Sequence, residues 1–189
     1  VHILASSGMR IGSVPDIQFK HLEDMPHGCK SVLVYANTKD EYTTFISHEA
    51  VKALDDYFEE RKKNGETLTP DSYLFVKLNG QKYDDISIRV RLLYQSKKLK
   101  CRTLDKNHRT DKMMNHAFRK RFNTILKLNS NVNISLAERM MGHSVTVSLD
   151  NAYFDPSKEQ LFDEYLKALP ELVLDEKFKL ENENLDLQQ

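Results

Sequence analysis

The sequence predicts an α+β fold that is mainly α-helical and contains a small antiparallel β-sheet. Two runs rich in β-branched and aromatic residues, 31–36 and 42–46, flank a polar stretch, which is the signature of a β-hairpin. Elsewhere, apolar residues recur three and four positions apart, as on the buried face of a helix. A chain of 189 residues is long enough for one domain with a full core. We therefore expect the hairpin around residues 31–46 to pack on a helical core.

The elements around the hairpin follow from local signals. Residues 1–12 are predicted to form the end of a helix that carries Arg10, and residues 16–25 a short extended segment. After the hairpin, Ser47 is suited to cap a helix that ends near Gly65. The apolar stripe of that helix consists of Val51, Leu54 and Phe58.

The helix predicted over residues 113–128 carries the most information. Its buried face is expected to consist of Met114, Phe118, Phe122 and Ile125. His116 and Arg119 are three positions apart, which makes them neighbours on the helix surface. Both lie outside the buried face, so they are available for chemistry.

Three further helices are predicted in the second half of the chain. One is marked by Ile86, Val90 and Leu93. The other two begin at capping boxes, in which a serine and an acidic or amide residue lie three positions apart. These boxes are Ser135 with Glu138 and Ser157 with Gln160. The first of these helices leaves His143 just past its end, and the second stops before Pro170.

Charge is unevenly distributed along the chain, although the formal net charge is zero. Residues 77–121 contain 14 Lys and Arg against 4 Asp, whereas residues 150–189 contain 11 Asp and Glu against 4 Lys. A basic segment favours a polyanionic partner. A solvated helical surface with a complementary acidic tail explains the same distribution, so charge alone leaves both interpretations open.

Composition bounds the class of protein. No stretch approaches the roughly 18 apolar residues that would span a bilayer. The two cysteines, Cys29 and Cys101, do not make a disulfide framework, which favours a reducing cytoplasm. The sequence opens on Val1 inside a predicted helix, so we expect a fragment whose upstream part is missing.

Metal chemistry is a weaker alternative. The spacings among the cysteine and histidine candidates match no zinc pattern. Those candidates are Cys101, His108, His116 and His143. Carboxylate pairs for a two-metal nuclease occur at 55–56 and 84–85, but adjacent acids on helices are usually solvated. We therefore expect no metal and no cofactor.

Several motifs occur in the order that a known family uses. They are residues 4–11 (LASSGMRI), Lys39 in the hairpin, residues 115–119 (NHAFR), residues 141–144 (MGHS) and Tyr153. Each motif alone is weak evidence, and the specificity lies in their shared order and spacing. On these motifs, residues 1 to about 168 resemble the catalytic domain of the tyrosine recombinases, which are phage-integrase-like enzymes. The resemblance is closest to archaeal and mobile-element integrases, and it implies the catalytic-domain fold of that family.

The resemblance also implies a site that cleaves DNA through a covalent 3′-phosphotyrosine bond. Arg10 and Arg119 would clamp the non-bridging phosphate oxygens, because bidentate guanidinium groups suit a phosphorane-like transition state. Tyr153 would attack as the nucleophile. Lys39 would protonate the departing 5′-oxygen. The bond energy is conserved in the phosphotyrosine link, so neither metal nor ATP is expected.

Two histidines complete the implied site. His116 would orient the phosphate and assist proton transfer, and His143 would donate a further hydrogen bond. The family pattern has an acidic residue three positions after the first arginine, where this chain has Ser13. The interval from His143 to Tyr153 is also about one residue longer than the family pattern. The next tyrosine, Tyr165, lies on an apolar stripe and is better explained as core.

Double-stranded DNA is the implied partner. The basic stretch is expected to contact the DNA backbone. Its candidate residues are Lys97, Lys98, Lys100, Arg102, Arg109 and Lys120. We expect residues 1–169 to be the catalytic domain and residues 170–189 an acidic tail that protomers exchange. The resemblance further implies an upstream core-binding domain, a tetramer on DNA and a cytoplasmic protein with neither a membrane nor a small-molecule partner.

Two other functions fit the same residues. A type IB topoisomerase-like enzyme would relax supercoils with a similar set of residues. A catalytically silent DNA-binding clamp would use the same fold without chemistry. The Gly-His-Ser motif followed by a tyrosine favours a recombinase, and the presence of every catalytic residue type argues against a silent clamp.

Overall fold

Mainly helical structure surrounds a small sheet in the computed structural model, which describes residues 1–98, 114–143 and 155–175. The helices are α1 (His2–Ser7), α2 (His48–Lys63), α3 (Asp85–Lys98), α4 (Met114–Leu128), α5 (Ile134–Met140) and α6 (Lys158–Leu172). The strands are β1 (Leu22–Asp24), β2 (Lys30–Val34) and β3 (Tyr42–Ile46). The predicted α+β class is confirmed. No helix within the described ranges is long and apolar enough to cross a membrane.

Helix α1 ends at a glycine. Gly8 has a φ of 60° and donates its N–H to the carbonyl of Leu4 at 3.2 Å, which closes the helix in the left-handed conformation that glycine favours. Arg10 therefore lies three residues past the end of α1, and the prediction that the helix extends over residues 1–12 is wrong at its C-terminal end. A 3₁₀ helix, Ile11–Asp16, follows directly. A Cβ added at Gly8 would lie 2.3 Å from the Phe122 ring, so α1 and α4 approach closely only because Gly8 has no side chain.

The three strands form an antiparallel sheet in the order β1-β2-β3. Lys30 pairs with Ile46 and Val34 with Tyr42, which confirms the predicted hairpin and places Lys39 in its turn. Only the last part of the extended segment predicted over 16–25 is a strand, because a 3₁₀ turn precedes β1.

The sheet lies between two apolar clusters. In the first, Phe45 of β3 contacts the rings of Phe162 and Tyr165 from α6, with centroids 5.1 and 5.4 Å apart. Phe122 of α4 belongs to the same cluster and is fully buried. The second cluster joins α1 and α2 to the other residues of the sheet. The prediction that Tyr165 is a core residue is confirmed, since none of its surface is exposed.

Helix α2 begins at the predicted cap, whereas α3 buries a different face from the one that the sequence predicted. Ser47 accepts a hydrogen bond from the Ala50 N–H and caps α2. Within α3, Ile86 and Val90 of the predicted stripe are 67% and 57% exposed. Ile88 and Leu92 pack against the second cluster instead. Both sets have helical spacing, so periodicity alone did not identify the buried one.

Helix α5 is capped by a residue that the sequence prediction missed. The Asn133 side chain accepts from the Ser135 N–H at 2.9 Å and from the Leu136 N–H at 3.5 Å. The predicted box of Ser135 with Glu138 is therefore wrong, because asparagine two residues earlier takes the cap position. The carboxylate of Glu138 is left for another role. The box of Ser157 with Gln160 at the start of α6 is confirmed.

The end of α6 lies beyond Pro170, where the prediction had stopped it. Leu172 and Val173 are fully buried, and their packing offsets the backbone hydrogen bond that a proline cannot donate. Arg121 donates to the carbonyls of Glu171 and Leu172 at 2.6 and 3.1 Å. The packed structure therefore continues past residue 170.

Replacing Gly8 with alanine is expected to lower the free energy of unfolding by about 2–4 kcal/mol, because the new methyl group meets Phe122 and the backbone conformation is strained. Urea denaturation followed by circular dichroism measures the change. Gly12→Ala is the matched control, since a Cβ at Gly12 has no neighbour within 4 Å. Equal unfolding midpoints for the two variants would contradict the close approach of α1 and α4.

Candidate active site

The guanidinium group of Arg119 joins three parts of the chain. From α4 it donates to the carbonyl of Gly8 at 2.8 Å and to the carbonyl of Met141 at 2.6 Å. These carbonyls lie just past the ends of α1 and α5, so one side chain fixes both helix ends. Burial lowers the pKa of Arg119, and the positive charge of Arg10 acts in the same direction. The two predicted arginines are therefore electrostatic neighbours.

Arg10 reaches the same loop from the other side. Its Nη2 donates to the carbonyl of Gly142 at 3.3 Å, and the residue is exposed. Ser13, which stands where the family pattern has an acid, donates its hydroxyl to the carbonyl of Arg10 at 2.7 Å. Ser13 thus holds the backbone of Arg10 and, being neutral, adds no negative charge beside the guanidinium group.

A carboxylate orients the ring of His143. Glu138 accepts from Nδ1 of His143, and it also forms an ion pair with Lys127. A carboxylate can only accept, so the ring proton lies on Nδ1 and Nε2 is left for another partner. Burial raises the pKa of Glu138, but the hydrogen bonds and charges of Lys127 and His143 outweigh this and hold it below its ordinary value.

His116 and Lys39 lie apart from these contacts. Both are exposed, His116 on α4 and Lys39 in the turn between β2 and β3. Arg10 and Arg119 thus both donate to the backbone of the segment that carries His143. Within the described residues, no hydrogen bond joins His116 or Lys39 to that group.

The remaining predicted residues divide into two sets. Lys97 and Lys98 at the end of α3 and Lys120 on α4 are exposed, and none of them forms an ion pair within the described part of the chain. The others lie outside the described residues. They are Lys100, Arg102, Arg109 and Tyr153.

Sequence patterns missed two side chains at this site, Glu138 and Tyr42. The interval of five residues from Glu138 to His143 crosses a helix end, so no periodic signal connects them. Tyr42 begins β3, and a Cβ added at Gly142 would lie 2.3 Å from its ring. That contact joins residues a hundred positions apart, which a local pattern does not predict.

No group of three or more His, Cys, Asp or Glu residues that could hold a metal ion occurs within 1–98, 114–143 and 155–175. Cys29 is a free, buried thiol, and burial raises its pKa to about 11.

Comparison with known protein families identifies the family to which the chain belongs. The family model described as the phage integrase family matches residues 1–160. The chain belongs to the phage integrase family. The predicted resemblance and the predicted catalytic-domain fold are thereby confirmed. No curated protein matches the sequence.

Solved recombinase structures share the fold of this integrase-family chain. The XerA recombinase is 22% identical with a TM-score of 0.60, over 87% of this chain and 54% of its own. XerH bound to its difH substrate in a pre-cleavage complex is 17% identical with a TM-score of 0.58, over 80% and 43%. The Tn1549 transposon integrase with a circular intermediate DNA is 19% identical with a TM-score of 0.55, over 86% and 55%. The chain therefore spans about half the length of these proteins.

Glu138→Gln is expected to destabilise the integrase-family domain by about 1 kcal/mol at pH 7 and by less in acid. A carboxyl whose pKa falls on folding stabilises the folded state above its unfolded pKa of about 4.5, and this contribution is lost as the pH falls through the lower folded value. Urea unfolding of both proteins from pH 7 to pH 3 measures the difference. The exposed Glu60→Gln serves as control, and a difference that stays constant with pH would refute the role of the carboxylate.

Proposed function

We propose that this chain is the catalytic domain of a site-specific DNA recombinase or integrase. It cleaves and rejoins DNA through a covalent 3′-phosphotyrosine intermediate at Tyr153, without metal or ATP. The observation that carries the proposal is the pair of arginines that donate hydrogen bonds to the backbone carbonyls of Met141 and Gly142. Arg10 and Arg119 donate to backbone carbonyls and form no ion pair within the described ranges, so their positive charge is free to bind a phosphate.

The chemistry balances without an added reactant. The Tyr153 hydroxyl gives its proton to His116 as its oxygen attacks the phosphorus, the bond from phosphorus to the 5′-oxygen breaks, and Lys39 gives a proton to that oxygen. The two guanidinium groups stabilise the negative charge of the transition state. Attack by a 5′-hydroxyl of the same or another strand reverses the steps and releases the tyrosine.

The histidines assist at the phosphate. With Nδ1 of His143 held by Glu138, a doubly protonated ring donates from Nε2 to a phosphate oxygen. His116, exposed on α4, exchanges a proton with the tyrosine. Lys120, four residues further on the same face of α4, contacts the DNA backbone together with Lys97, Lys98 and the basic residues between α3 and α4.

Assembly involves parts that lie outside the described structure. XerH was solved with its difH substrate and the Tn1549 integrase with a circular intermediate DNA. By analogy we infer that this chain acts on double-stranded DNA, with four protomers on two sites. Exchange of the acidic tail between protomers links the neighbours.

Tyr153→Phe is expected to abolish a covalent protein–DNA adduct. The wild-type chain is incubated with a pool of nicked duplexes of random sequence, and SDS-resistant complexes are captured, which removes the need to know the target site. Tyr57→Phe, which removes the same atom on α2, should retain the adduct. An adduct that persists in Tyr153→Phe would mean that another residue is the nucleophile.

Two further outcomes separate the rival functions. Relaxation of a supercoiled plasmid that lacks the captured sequence would favour a topoisomerase. Sequence-specific binding without an adduct, even on nicked duplexes, would favour a silent DNA-binding clamp.

Truncation after Asp175 is expected to weaken assembly of protomers on DNA while sparing cleavage at a single site. The cut must leave residues 171–175 in place, because Leu172 and Val173 are core and Glu49 accepts the N–H groups of Leu174 and Asp175 at 2.9 and 3.1 Å. Analytical ultracentrifugation with the captured duplex measures assembly. Unchanged assembly would refute the exchange of the tail.

A further inference from the structure

Tyr42 lies at the point where both arginines are anchored. It is the first residue of β3 and pairs with Val34 at the end of the hairpin turn. Its ring packs directly on Gly142, where an added Cβ would lie 2.3 Å from Cδ1 and 2.4 Å from Cε1. The carbonyl of Gly142 accepts a hydrogen bond from Arg10, and the carbonyl of Met141, next to it, accepts one from Arg119. Tyr42 therefore packs against the same backbone segment that both guanidinium groups contact.

The Tyr42 hydroxyl is buried, and its oxygen accepts from the neighbouring Arg119 guanidinium group, whereas its proton has no acceptor within the described part of the chain. A buried hydroxyl proton without an acceptor is unfavourable, so its presence here calls for a function. Burial raises the pKa of Tyr42, while the positive charges of Arg119 and Arg10 lower it. The hydroxyl oxygen therefore faces two cations that can donate to it but cannot accept its proton.

We propose that Tyr42 is a further phosphate-binding residue, whose hydroxyl donates a hydrogen bond to a non-bridging oxygen of the DNA phosphate held by Arg10 and Arg119. The inference rests on the proposed strand cleavage. A hydroxyl that lies beside two guanidinium groups needs an acceptor for its proton, and a phosphate oxygen is the acceptor that the same groups attract. Tyr42 does not act as a nucleophile, because its ring is packed against Gly142 and cannot advance on the phosphorus.

Tyr42→Phe removes only this donor and keeps the ring that packs on Gly142. We expect the rate constant for cleavage of the captured nicked duplex to fall about 10- to 100-fold at saturating DNA. The melting temperature should stay within a few degrees of wild type. Tyr57→Phe should cleave at the wild-type rate, and an unchanged rate in Tyr42→Phe would overturn the proposal.

Methylphosphonate substrates distinguish binding from a structural role. Each of the two diastereomers lacks one non-bridging oxygen at the cleaved phosphate. Tyr42→Phe should cleave one diastereomer as fast as wild type, because the oxygen that the hydroxyl binds is already absent, and should keep its defect on the other. An equal loss on both diastereomers and on the natural phosphate would assign Tyr42 a structural role and overturn the proposal.

Binding of inorganic phosphate tests the role of Tyr42 independently of strand cleavage. If wild type forms no adduct, the proposed function fails, yet equilibrium dialysis against labelled phosphate still tests the site. Dissociation constants at least several-fold higher for Tyr42→Phe than for wild type and Tyr57→Phe would support the hydrogen bond. Equal constants in all three proteins would refute it.

Discussion

The structure of the site depends on the two hydrogen bonds that Arg119 donates to the carbonyls of Gly8 and Met141. The first carbonyl precedes Arg10 by two residues and the second precedes His143 by two, so both neighbours take their positions from one side chain. Backbone carbonyls neutralise far less charge than carboxylates. The guanidinium group is thus fixed in place and still cationic, which is the condition for binding an anion without reorganisation.

Two glycines make this arrangement possible. Gly8 and Gly142 both have positive φ values, and a Cβ at either position would lie 2.3 Å from an aromatic ring, Phe122 in one case and Tyr42 in the other. The absence of these side chains lets α1 approach α4 and lets the 141–143 loop approach β3. The motif Gly-Met-Arg and the motif Gly-His therefore carry a steric requirement as well as a chemical one.

Sequence patterns correctly predicted the elements that depend on interactions between residues close together in the chain. The hairpin, the Ser47 cap and the buried Phe122 on α4 followed from residue type and spacing. The prediction failed where two sets of residues could fill the same role. Asn133 caps α5 in place of Ser135, and α3 has two apolar stripes of which only one is buried. The packing of Tyr42 on Gly142 depends on tertiary structure, so no spacing along the chain contained it.

The end of the described chain is tied to the helices of the site. Glu49 of α2 accepts the backbone N–H groups of Leu174 and Asp175. Arg121 of α4 donates to the carbonyls of Glu171 and Leu172 at the end of α6 and, at 3.4 Å, to the carbonyl of Ala5 in α1. Arg121 is two residues from Arg119, and Ala5 is three from Gly8. Hydrogen bonds therefore anchor residues 171–175 on α2 and on α4, the helix that carries Arg119. A change in the anchoring of these residues would reach α4 through those hydrogen bonds and through the buried side chains of Leu172 and Val173.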